Sequence, residues 1–242
     1  MLKKSIYYLL LVFTCQNLFA QELTADELLD KAIFYHDPNG NWKNFQSILH
    51  INLEMPDSPN RKSEVYINLP KNVFGLKTVQ DTITTYRKFE KGKCSFSLNG
   101  KTALDSTEIK KHRGDCERTK MYRNYYTYLY GLPMKLKDAG TIIHKKVQKR
   151  TFKGKDYLVI KVTYDEYVGT DTWYFYFDPT TYAMKVYQFY KNEAKNDGEY
   201  ILLTDELITN GIKLPKTRAW YYNKNDGYLG TDQLEKTVEI DK

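Results

Sequence analysis

Phe45-Gln46-Ser47-Ile48-Leu49-His50-Ile51-Asn52-Leu53-Glu54-Met55 is the stretch on which the fold turns. Phe45, Leu49, Ile51, Leu53 and Met55 alternate with Gln46, His50, Asn52 and Glu54. A period of two marks a strand with one buried face. Pro56 to Pro59 reads as a turn. Val65, Ile67 and Leu69 mark the next strand, which ends at Pro70. Further strands are expected near 73–79 and 82–90. Cys94, Phe96 and Leu98 alternate again up to Asn99-Gly100, a strong hairpin signal.

Upstream of this stretch the period is helical. Thr24 and Glu27 have the spacing of a capping box, in which each side chain satisfies the other residue's free amide. Leu28, Leu29, Ala32, Ile33 and His36 recur on one face. Asp37-Pro38-Asn39-Gly40 stops the helix, because proline disfavours helical backbone at the residue before it. A second helical stripe, Met121, Tyr122, Tyr125, Tyr126 and Leu129, lies within 115–130, with Gly131 as its C-terminal cap and Pro133 beyond.

After it the strand pattern returns, at about 144–152, 157–166, 172–177, 183–190, 199–208, 213–222 and 233–240. Turn residues separate these strands, among them Lys153-Gly154-Lys155, Asp178-Pro179, Asn210-Gly211 and Asp226-Gly227. Short connections make successive strands antiparallel neighbours. A sheet of about ten strands must curl, because strand twist accumulates. The fold class is therefore mainly β with two helices: a strongly curved antiparallel sheet, an open half-barrel, wrapped around helices.

The first twenty residues carry an address. Lys3 and Lys4 precede an apolar run from Ile6 to Phe13, and Leu18-Phe19-Ala20 ends on a small residue. That is the layout of a secretory signal peptide, with cleavage after Ala20. The run is shorter than the roughly 20 residues that span a bilayer. Cys15 offers a competing reading as a lipidation site. The bulky Phe13 and Thr14 before it fit a lipoprotein signal poorly. Residues 21–242 form a single curved-sheet domain, periplasmic or secreted, with outer-membrane anchoring if Cys15 is lipidated.

Loss of Lys3 and Lys4 brings the formal net charge from +7 to +5. Basic and acidic residues interleave, except at Lys110-Lys111-His112-Arg113 and Lys145-Lys146 to Lys149-Arg150. These runs read as solvated faces, or as contacts for anionic lipid or an acidic envelope partner. Diffuse charge in an exported chain argues against nucleic acid. In an oxidising compartment Cys94 and Cys116 are expected to pair. A Cys94, His112, Cys116 metal site lacks a fourth ligand. The 22 tyrosines suit half-buried strands with packed rings and wet hydroxyls.

No phosphate loop, nucleophile elbow or two-histidine zinc motif occurs. His36, His50, His112 and His144 are scattered and read as surface or boundary residues. Acidic pairs at Asp26-Glu27, Asp165-Glu166 and Asp205-Glu206 read as solvated turn or edge residues. No catalytic residue, cofactor or metal is expected. In Trp173-Tyr174-Phe175-Tyr176-Phe177 the hydrocarbon side chains Trp173, Phe175 and Phe177 share one face, and the tyrosines share the other. Leu158, Ile160 and Val162 supply an adjacent inward face whose register is open. These six residues either pack a core or line a ligand cavity, since ligand sites are concave and mostly apolar.

The helix Leu23-Thr24-Ala25-Asp26-Glu27-Leu28-Leu29-Asp30-Lys31-Ala32-Ile33, followed by His36 and Trp42, resembles an uncharacterised family of exported or lipid-anchored bacterial envelope proteins. So do Tyr128-Leu129-Tyr130-Gly131-Leu132-Pro133, Gly154 to Val162, and Phe177-Asp178-Pro179-Thr180-Thr181-Tyr182 with Lys185-Val186. The resemblance implies a LolA-like fold, that of the periplasmic carrier that ferries lipoproteins to the outer membrane. It supplies no catalytic residues. Two functions compete. One is a non-enzymatic binder or carrier of a lipid or other hydrophobic or amphipathic ligand. The other is a structural protein that docks an envelope partner through its outer surface. An enzyme working at the cavity mouth ranks below both.

Overall fold

A computed structural model describes residues 23–240. The expected signal peptide, its cleavage site and Cys15 lie outside the described residues. The chain opens with α1 (Ala25–His36), then β1 (Gln46–Met55), β2 (Ser58–Asn68), β3 (Val73–Gln80), β4 (Ile83–Glu90) and β5 (Lys93–Leu98). Two helices follow, α2 (Ser106–Lys111) and α3 (Cys116–Gly131). The second half holds β6 (Thr141–Ile143), β7 (Gln148–Phe152), β8 (Lys155–Tyr164), β9 (Thr172–Phe177), β10 (Met184–Tyr190), β11 (Glu199–Thr209), β12 (Ile212–Tyr222) and β13 (Tyr228–Glu239).

All described strands join one antiparallel sheet in the order β5-β4-β3-β2-β1-β13-β12-β11-β10-β9-β8-β6, with β7 also on β8. The edges β5 and β6 do not pair, so the sheet is curved but not closed into a barrel. Two meanders meet in its middle, where β1 pairs with β13 from Ser47–Glu239 to Glu54–Thr231. Of the strand expected over 144–152 only β7, residues 148–152, forms, and an additional short strand, β6, precedes it; both pair with β8. Lys145, Lys146 and Lys149 are exposed beside them. Charged lysines on an edge discourage pairing with another chain.

The helix α1 starts where the capping box places it. The Glu27 amide donates to Thr24 Oγ1 at 3.2 Å, and the Thr24 amide donates to Glu27 Oε2 at 2.9 Å. Ala25, Leu28, Leu29 and Ala32 are buried against the sheet. His36 is not the boundary residue expected: it is fully buried. Its neighbour Asp37 turns the chain out of the helix, its carboxylate accepting the amides of Asn41 at 2.7 Å and Trp42 at 2.8 Å.

A short helix, α2, adds to the two expected ones. Its capping box, Asp105 with Glu108, was present in the sequence. The Asn99-Gly100 turn makes only an isolated bridge, Leu98 to Lys101, before the chain leaves for α2. Gly131 is the last residue of α3, but its φ is not positive. A Cβ there would lie 2.4 Å from Trp42 Cζ2 and 2.5 Å from Lys135 Cγ. Close approach of Trp42, not a left-handed cap, is what requires glycine at this position.

The main core lies on the concave face under α1 and α3. A smaller cluster sits on the convex face, around Tyr157, Val159, Tyr174, Tyr176, Val186 and Tyr200. The tyrosine hydroxyls expected to be wet are therefore capped by side chains. Tyr176 donates to Gln188 Oε1 at 2.6 Å, and Tyr174 donates to Glu193.

Candidate functional site

Register decides which side chains share the concave face. Val162 pairs with Trp173, Ile160 with Phe175, and Leu158 with Phe177 across β8 and β9. Directly opposed residues project to the same side, so all six predicted residues face inward. Phe175, Phe177, Ile160 and Val162 are fully buried, and Leu158 packs against the same core. The four buried side chains present no surface to a ligand, and Leu158 is half-buried. Of the six, Trp173 lines a cavity.

The hollow lies farther toward one end of the sheet, between the strands and α3. A cavity of about 520 Å³ is walled by Leu53, Met55, Trp173, Phe189 and Trp220 from the sheet, with Tyr125, Tyr128 and Leu129 from α3. A second hollow of about 630 Å³ adjoins it, sharing Tyr125, Tyr128, Asp171 and Trp173. The roof is aromatic because α3 places tyrosines at helical spacing. Tyr125 stacks on Trp220 at 6.5 Å between centroids, and Tyr128 meets Trp173 edge-on at 5.7 Å. On the next face, Tyr122, Tyr126 and Tyr130 form a stacked ladder at 6.3 and 6.4 Å.

Sequence reasoning missed the polar floor of this hollow. Arg61, Leu53, Asp232, Arg218 and Leu203 are successive cross-strand partners over β2, β1, β13, β12 and β11. They make one transverse row on the concave face. Arg61 and Asp232 reach the cavity wall. Arg218 stands behind Asp232, 1% exposed, its guanidinium 4.0 Å over the Tyr130 ring. Arg218 Nη1 donates to Pro215 O at 2.9 Å. Its Nε and Nη2 have no partner, nor do Arg61 Nε and the hydroxyls of Tyr130 and Tyr187. Buried polar groups are nearly always paired, so five such atoms in one place need a reason.

Asp232 accepts from Trp220 Nε1 at 3.1 Å. Burial pushes its carboxyl above the ordinary range, while the charges of Arg218 and Arg61 pull the other way. Burial likewise raises the Tyr126 phenol to about 12. None of these groups forms a nucleophile–base pair, and no three His, Cys, Asp or Glu side chains among the described residues gather into a metal site.

At the opposite end of the trough His36 is enclosed. At one edge the structure bonds Cys94 of β5 to Cys116 at the start of α3, with Cα atoms 5.4 Å apart. The basic turn after α2 is held from beneath, where buried Arg87 donates to the carbonyls of His112 at 2.7 Å and Arg113 at 2.6 Å. Lys110 and Lys111, the last residues of α2, are exposed beside it. No helix among the described residues is long and apolar enough to cross a membrane.

The sequence profile of a family of unknown function, DUF6503, matches residues 4–237. No curated protein matches the chain. Among solved structures it is similar to a LolA superfamily protein from Nitrosomonas europaea, at 11% identity and a TM-score of 0.52, over 90% of this chain and 94% of that one. It is also similar to a domain assigned to outer membrane lipoprotein sorting from Vibrio parahaemolyticus, at 12% identity and a TM-score of 0.51, over 89% and 93% of the two chains. At such identities the likeness is one of fold: a curved antiparallel sheet around helices, LolA-like.

Proposed function

This chain belongs to the DUF6503 family of unknown function, and on that premise we propose that it is a non-enzymatic holder or carrier of a hydrophobic or amphipathic ligand in the cell envelope. The observation that carries this reading is the apolar hollow of about 520 Å³ between α3 and the concave face. Its size falls in the range of small-ligand sites, roughly 300–1,000 Å³. Two tryptophans and two tyrosines supply broad apolar contact there, and burial of ligand surface against them provides the driving force.

The leader read over residues 1–20 supports export, with the working domain beginning at Gln21. The two structural relatives are described as a LolA superfamily protein and a lipoprotein-sorting domain. A trough for acyl chains would suit this chain on the same fold.

The test is native mass spectrometry of the exported protein before and after extraction with organic solvent. A co-purifying hydrophobic mass that disappears on extraction is the expected result. Protein that carries no such mass, and takes up no alkyl probe such as dodecanol after extraction, would overturn the proposal. The first residue of the exported protein, read by terminal sequencing, is expected to be Gln21.

A further inference from the structure

The charged row on the floor of the hollow tells more about the ligand than the apolar walls do. Arg61 and Asp232 face the cavity, and Arg218 lies behind Asp232. If the floor held only a structural ion pair, the arginines would be satisfied by the carboxylate. They are not. Neither arginine forms an ion pair among the described residues. Asp232 is already engaged by the Trp220 indole, and Arg218 opposes its charge from the adjacent strand. Arg61 is thus left with an unpartnered Nε beside an apolar cavity. The unpartnered atoms of Arg61, Arg218, Tyr130 and Tyr187 are all able to donate, and none is an oxygen that can only accept. The floor therefore has an excess of donors and positive charge.

The mouth has the opposite character. Asp171 and Glu199 line it, two carboxylates that burial pushes above their ordinary range. Glu199 begins β11, whereas Arg218 pairs with Leu203 four residues farther into that strand. An anionic head is disfavoured at the acidic rim and favoured at the arginine floor. Apolar wall connects the two.

We propose that the hollow takes a single-chain anionic amphiphile, of the long-chain carboxylate class, with its head on Arg61 and its chain running outward between Leu53, Trp173 and Trp220. This rests on the hollow being a ligand site, as argued above. Arg218 is a positioning residue: it offsets the charge of Asp232 so that Arg61 stays available. Charge-assisted hydrogen bonds from a guanidinium in a site shielded from water give the head its affinity.

The experiment uses the full exported chain, freed of lipid, titrated below micelle formation with dodecanoate, dodecyl phosphate, dodecanol and dodecyltrimethylammonium. Tryptophan fluorescence reports binding, because Trp173 and Trp220 line the cavity. Dodecanoate is expected to bind at least about tenfold tighter than dodecanol, the factor that one hydrogen bond to a charged group supplies. Arg61→Gln should remove the preference of the protein for dodecanoate over dodecanol, and Arg61→Lys should restore part of it. Thermal unfolding and circular dichroism of both variants, expected to match the parent protein, show that they are folded. Preference for dodecyl phosphate over dodecanoate would keep the anionic head but overturn the carboxylate assignment. Equal affinity for dodecanoate and dodecanol, or a preference for the cation, would overturn the proposal while leaving the hollow as a binding site. Failure of every probe to bind would remove the hollow itself.

Discussion

The Nε2 atom of His36, at the end of α1, accepts the backbone amide of Met184 at the start of β10, at 3.0 Å. The other ring nitrogen lies 2.7 Å from the carbonyl of Lys213 on β12 and must be its donor. One neutral imidazole, protonated on Nδ1, thereby ties the N-terminal helix to two strands of the second meander.

Burial lowers the pKa of His36, outweighing the carbonyl hydrogen bond and the Glu206 charge that raise it. The folded state then favours the neutral ring, and the unfolded chain binds the proton more readily. The resulting stability is fully present above the unfolded value of about 6.5 and is lost as pH falls through the folded pKa. Urea unfolding should show a lower midpoint at pH 5 than at pH 7.5. His36→Gln should flatten that difference and cost about 2 kcal/mol or more at pH 7.5, through unmade buried hydrogen bonds. Asp232 and half-buried Glu199, with raised pKa values, act with the opposite sign, so comparison with the variant isolates the histidine.

The bridge between Cys94 and Cys116 closes a loop with a sequence separation of 22. In the chain-entropy account such a closure stabilises by about 3 kcal/mol. The doubly substituted Cys94→Ala, Cys116→Ala protein should lose about that much in denaturant unfolding, and reductant should no longer affect its midpoint.

Phe175 and Trp173 sit two residues apart on β9 but differ in surroundings. Phe175→Ala should cost about 3–5 kcal/mol of stability, because it empties a packed core position. Trp173→Ala should cost less and instead weaken dodecanol binding, since that ring is a cavity wall. Thermal unfolding and fluorescence titration of the two variants separate these effects.

Gly131→Ala should destabilise by about 1–3 kcal/mol, because the added methyl overlaps the Trp42 ring. A left-handed cap would instead be relieved by asparagine. Asn at this position should therefore be at least as damaging as Ala, which calorimetric melting of both variants would show.

The strands and both principal helices were legible because their signals are local: period-two alternation in Phe45–Met55, the Thr24–Glu27 cap, and the tyrosine stripe of α3. The joining of β1 to β13 was not, since it links residues separated by most of the chain. Which of the six inward residues pack the core and which reach the hollow was not legible, for a related reason. Trp173, Phe175 and Phe177 share one face of β9, yet α1 and α3 cover that face unequally, and coverage depends on helix placement. The Arg61–Asp232–Arg218 row carried no motif. It arises from register across β2, β1, β13 and β12, and in the sequence each residue is one charge among many.

The pairing of β13 with both β1 and β12 also constrains the order of assembly. Among the described residues no other strand connects the two meanders, so until β13 docks the molecule is a pair of ribbons with raw edges. Ser47 must wait for Glu239, and contacts of such long span form slowly. The last step of folding is therefore the closure of two separately formed ribbons into one continuous layer by the C-terminal strand.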